Sequence, residues 1–209
     1  MEMNTRRTPI PELPYSAGLM SQSCWFIEFK KIVQLIAAGK TEDEIKSECL
    51  ENNLIGAVKE YRARRMYRYL INRAKMLDEA LVRLFMDGEL GTQKLINLVA
   101  ILRGDRLFFE FVYEVYREKA MMGQPELEDQ DVNVFFRHKE IQSDLVEHWN
   151  DSTKKHLKSS YLTCMADAGL LRIVKKVRSI TPPIVEDRLA AYLERSGDHA
   201  LLAAISGVA

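Results

Sequence analysis

Apolar residues recur at three- and four-residue spacing along most of this chain. Trp25, Phe26, Phe29, Ile32, Val33 and Ile36 form one such stripe, ending at Gly39, and predict an amphipathic helix. Thr41-Glu42-Asp43-Glu44 has the pattern of a capping box, with Thr41 as N-cap and Glu44 reaching back to it. That box opens a short helix carrying Ile45, Cys49 and Leu50. Asn52, Asn53 and Gly56 then interrupt the chain around Leu54 and Ile55, and a longer helix is expected from about Ala57 to Leu77. On its wheel Ala63, Met66, Tyr67, Leu70, Ile71, Ala74 and Leu77 share one face. Tyr61, Arg65, Arg68, Asn72 and Lys75 lie opposite, with Arg62, Arg64 and Arg73 on the flanks. Helix, short helix, turn and longer helix make a helix-turn-helix outline over about residues 20–77.

Further helices are predicted at about 79–87, at 92–103 with Thr92 as N-cap, and at 105–122 with Asp105 as N-cap and Gly123 beyond the end. MMGQPELEDQD, residues 121–131, concentrates Gly, Pro and acids and marks the best boundary between two units, 1–122 and 123–209. Beyond it Ser143 and either Asp151 or Ser152 are candidate N-caps, and Gly169 a helix stop. Leu157, Tyr161, Cys164, Met165 and Ala168 form the buried stripe of a third helix. The β-branched run LLRIVKKVRSITPPIV predicts a two-stranded hairpin with its prolines at the edge. Two short helices, about 185–196 and 198–205, close the chain. The fold class expected is mainly α: two helical subdomains, each with a helix-turn-helix unit, the second winged by a short β-hairpin.

Charge changes this picture. Arg and Lys number 30 and Asp and Glu 30, so the net charge is zero, yet residues 61–77 carry six basic side chains and no acid. Residues 152–178 carry seven basic and one acidic. Each island falls on the third helix of its unit, and the second continues into the hairpin. Arg dominates the first island, and its planar fork suits phosphate and guanine. The candidate nucleic-acid contacts are Arg62, Arg64, Arg65, Arg68 and Arg73 from the first unit, Lys154, Lys155 and Lys158 from the second, and Arg172, Lys175 and Lys176 from its wing. Solvated helix faces are the plainer reading of the same residues.

Candidate chemistry is sparse. GxxxxGK and GxGxxG are both missing, and His138, His148, His156 and His199 fall in no metal-ligand spacing. Cys24, Cys49 and Cys164 form no CxxC pair, which argues against a disulfide framework or a thiolate zinc site. No enzyme, metal or cofactor is therefore expected. MEMNTRRTPIPELPYSAG lacks an apolar h-region, and the most apolar stretches are too short or too charged to span a bilayer. A cytoplasmic protein follows as the expectation.

Several stretches together resemble the BrxA-like proteins of bacteriophage-exclusion (BREX) defence systems. They are the Tyr15-Ser16-Ala17 opening, the acidic short helix, the turn with Glu51, Asn52 and Leu54, and the Arg-rich helix near 62–73. In the second half they are Trp149, Asn150, Thr153 and Ala168-Gly169-Leu170-Leu171, then a hairpin and a proline. The resemblance implies an all-α monomer with two helix-turn-helix units beside positive patches. It further implies double-stranded DNA binding without catalysis, in a phage-defence system whose other proteins are candidate partners. Two rival roles share the same residues: a protein–protein adaptor whose Arg faces meet acidic partners, and an RNA-binding, antitermination-like factor.

Overall fold

A computed structural model describes residues 9–207; Met1–Thr8 and the last two residues, including the start of the N-terminal stretch read above, lie outside it. After short 3-10 turns at Ile10–Glu12 and Gly18–Ser21 come α1 (Phe26–Ala37), α2 (Glu42–Leu50), α3 (Glu60–Ala74) and α4 (Glu79–Asp87). Next are α5 (Leu90–Gly104) and α6 (Arg106–Phe111), which runs through a π-helical turn at Val112–Tyr116 into α7 (Arg117–Met121). The second half holds α8 (Asp129–Gln142), α9 (Asp144–Glu147), α10 (Asp151–Asp167), β1 (Leu171–Val174), β2 (Val177–Ile180), α11 (Asp187–Arg195) and α12 (His199–Ser206).

The chain is mainly helical with one small antiparallel hairpin, as expected. The capping box forms: Thr41 Oγ1 accepts from the Glu44 N–H, and the Glu44 carboxylate accepts from the Thr41 N–H at 2.8 Å. Boundaries shift where side chains compete for the backbone. Asn53, at φ +50°, accepts the Ala57 N–H at 2.8 Å, so the turn reaches Ala57 and α3 starts only at Glu60. The cap of α10 is Asn150, one residue before the expected pair, and its side chain accepts the Thr153 N–H. Thr92 is not an N-cap; α5 opens two residues earlier, and the Thr92 hydroxyl donates to Glu186 at 3.0 Å.

Helix α5 explains why its pattern was hard to place. Leu95 through Leu102 are buried without a break, so the helix is covered on every side and shows no amphipathic period. α1, α3, α4, α6, α10 and α12 all pack against it. The apolar interior runs unbroken past residue 123: Tyr161 of α10 stacks on Phe108 of α6 at 4.4 Å, and Phe135 of α8 meets Phe111 edge-on at 5.1 Å. Residues 125–127 run beside β2, with the Leu127 N–H bonded to Arg178 O and the Ile180 N–H to Pro125 O.

The N-cap of α6 sets a pH dependence. Asp105 accepts the Phe108 N–H at 2.9 Å, and burial pushes its carboxyl up from 3.8 to about 6 against the pull of the Phe108 and Leu107 N–H groups. A raised folded value contributes stability that is present below about pH 4 and lost as pH rises through 6. The ionised form is then about 2–3 kcal/mol worse than the protonated one. Asn caps a helix about as well as Asp and carries no charge. Asp105→Asn is expected to raise the thermal midpoint at pH 7.5 by about 4–8 °C, a gap that closes by pH 4 in melts followed by circular dichroism.

Candidate nucleic-acid interface

Helix α3 buries Ala63, Met66, Tyr67, Leu70, Ile71 and Ala74, as its wheel requires, and turns Tyr61, Arg62, Arg64, Arg65, Arg68, Asn72 and Lys75 outward. Arg64 pairs with Glu60 one turn back at 2.5 Å, and Lys75 with Glu42 of α2 at 2.7 Å. Arg62, Arg65 and Arg68 are exposed, and among the described residues none has a carboxylate in ion-pairing range. Arg65 donates to the Ser21 carbonyl at 2.7 Å, and the Arg68 guanidinium lies 5.6 Å over the Tyr69 ring. Trp25 packs against the same ring at 6.4 Å, a contact between segments that the sequence pattern does not join. Tyr67 is core, its hydroxyl reaching Glu42 O, while Tyr61 stands 68% exposed.

Arg73 does not belong to this ridge. Met66 and Arg73 are i, i+7 neighbours and share the inward face, and Arg73 is 5% exposed. Its guanidinium donates to Cys24 O, to Ser23 O at 3.3 Å and to Asn97 Oδ1 at 3.2 Å, and burial lowers its pKa. The wheel placed it on a flank; the loop before α1 supplies carbonyls that close over it.

The second island is partly neutralised from within. Lys154 pairs with Glu140 of α8, and Lys158 with Asp129 at 2.8 Å. Asp129 also takes Arg178 of β2, and Lys158 and Arg178 together hold its carboxyl below the usual range. One carboxylate thus ties β2 to α10. The absence of acids inside an island had implied free cations, but the acids arrive from a helix distant in sequence. Lys155, Arg172, Lys175 and Lys176 remain exposed, with no carboxylate in ion-pairing range among the described residues.

One segment touches both third helices. Arg65 bonds Ser21 O, and the Ser160 hydroxyl of α10 reaches Gln22 O at 3.5 Å, so residues 18–22 lie between the two third helices. Cys24, Cys49 and Cys164 are buried free thiols. Among the described residues no cluster of His, Cys, Asp or Glu is placed to hold a metal ion, and no helix is long and apolar enough to cross a membrane.

The BrxA family model matches residues 13–197. This chain belongs to the BrxA family. A BrxA relative from Bacillus cereus (strain H3081.97), named "BREX protein BrxA", is 34% identical over 189 residues, spanning 90% of this chain and 94% of that one. The resemblance carried by the short motifs is thus confirmed over nearly the whole length. A crystal structure of an uncharacterized protein from Magnetospirillum magneticum shares the BrxA fold seen here. Its TM-score is 0.78 at 20% identity, with 92% of this chain and 98% of that one covered.

Proposed function

We propose that this BrxA-family chain is a non-catalytic component of a BREX phage-defence system that binds double-stranded DNA. Family membership and the name of the Bacillus relative support the first half. The second half rests on one observation: Arg62, Arg65 and Arg68 form an outward row on α3 that no carboxylate of the described chain neutralises. A polyanion would meet all three at once, with no internal carboxylate to displace. Arg172, Lys175 and Lys176 add a second exposed set on the hairpin. Lys154, Lys158 and Arg73 drop out of the contact set because the fold already uses them.

With about five phosphates engaged, log K is expected to fall with log salt at a slope of roughly −4 to −5. A gel-shift titration between low and physiological salt, with RNA of equal length as competitor, tests the reading. No duplex binding at low salt defeats it, as does an affinity indifferent to salt. Preference for RNA favours the antitermination-like role. The adaptor reading has its own support in Ile141 and Leu145, 86% and 53% exposed beside Asp144 and Glu147. It wins if Ile141→Ser with Leu145→Ser breaks complex assembly while the Arg row proves dispensable.

A further inference from the structure

The hairpin carries more than charge. Its register pairs Arg172 with Ser179 and Val174 with Val177, so these four side chains share one face, while Leu171 and Ile180 point the other way. The inward face is anchored at its base, where Leu171 is buried, residues 125–127 pair along β2 and Asp129 holds Arg178, while Ile173 near the tip is 43% exposed. On the outward face Val174 and Val177 are 51% and 45% exposed, an apolar cross-strand pair facing solvent. Cations bracket this pair, Arg172 below and Lys175 and Lys176 in the turn above. Alternation that serves solubility alone would place polar residues there.

The turn adds a second, independent sign. Lys175 sits at φ +57°. Hairpin turns of this length normally place Gly, Asn or Asp at such a position, because Gly lacks the Cβ that crowds the backbone there and Asn or Asp offset it with local hydrogen bonds. Strain of this kind persists where function holds it, and what it preserves here is an ammonium at the tip.

The geometry points to a groove-distorting role: the hairpin tip enters the minor groove of the bound duplex, with the Val174–Val177 pair against the sugar walls and Lys175 and Lys176 on the flanking phosphates, and bends it. This rests on the duplex-binding reading above. A minor groove about 6 Å wide is too narrow for a two-stranded ribbon, whose strands alone stand about 5 Å apart before side chains are added. Entry therefore requires the groove to open, and an apolar wedge that opens it bends DNA toward the major groove. Valine offers no donor or acceptor for base edges, so the pair contributes by shape.

The full-length protein is titrated at low salt into a duplex of about 30 base pairs. The duplex carries a fluorescence-transfer pair at its ends and 2-aminopurine at pyrimidine–purine steps, which unstack most readily. Wild type is expected to shorten the end-to-end distance and brighten 2-aminopurine on binding. Val174→Thr with Val177→Thr, which keeps shape and strand propensity, is expected to bind within about threefold at an unchanged salt slope yet lose both signals. Val174→Ile with Val177→Ile is expected to enlarge them. Lys175→Asn is expected to flatten the salt slope by about 1 without lowering the thermal midpoint. Saturation of the duplex by wild type with neither signal overturns the wedge and leaves the DNA-binding reading intact. So does a threonine double variant that bends DNA as wild type does. Absence of duplex binding by wild type defeats both.

Discussion

Reversing the charge of the α3 row is expected to weaken duplex binding at least ~100-fold while leaving the fold intact. Arg62, Arg65 and Arg68 are exposed, and no carboxylate of the described chain is paired with them, so their replacement by Glu removes no ion pair from the folded state. Three charge-assisted phosphate contacts at about 1 kcal/mol each amount to roughly 100-fold in affinity. Repulsion between the new carboxylates and the backbone adds to that loss. The triple variant is expected to show at least this drop in a gel shift near 50 mM salt, with a helical spectrum and thermal midpoint within a few degrees of wild type. Its salt slope should fall toward that of the hairpin cations alone, roughly −2 to −3. Retained affinity would remove α3 from the interface. Arg64 is left out because Glu60 already engages it at 2.5 Å.

Arg73→Ala is expected to do the opposite: destabilise the fold and leave the affinity of the folded protein unchanged. The guanidinium lies inside, where its donors satisfy Ser23 O, Cys24 O and Asn97 Oδ1, and it sits 5.8 Å over the Phe29 ring. Alanine deletes that packing and strands the buried Asn97 Oδ1, while Cys24 O retains only the Asn97 amide at 3.3 Å. The expected loss is about 3–4 kcal/mol, or a midpoint lowered by roughly 10 °C. Arg73→Lys should rescue little, because one ammonium cannot serve three carbonyls that a planar fork spans. Chemical denaturation gives the stability, and a loss below 1 kcal/mol would mean that the carbonyls find other donors. The two arginine substitutions act on the same helix, five residues apart at their nearest, with opposite consequences.

What separates them shows how far local pattern reaches. Periodicity placed α1 to α4 and the hairpin because each is half-buried, and a half-buried element writes its face into the spacing of apolar residues. For α5 the same logic failed only at the start, set two residues late by Thr92, since the exposed Leu90 and Gly91 that open the helix write no face into the pattern. It failed again at Ala57, where an Asn side chain outbid the helix for one N–H.

For the interface, the sequence by itself determined which residues carry charge, that they cluster on two helices and a turn, and which family the chain resembles. Tertiary structure alone decided which of those cations are free. Glu140 and Asp129 reach Lys154 and Lys158 from a helix that precedes them, and the Ser23–Cys24 backbone closes over Arg73 from 49 or 50 residues away. Helical spacing reports the direction in which a side chain leaves its own axis. The free energy of a charge depends on what stands opposite it, and that is set by packing between segments that no local pattern connects.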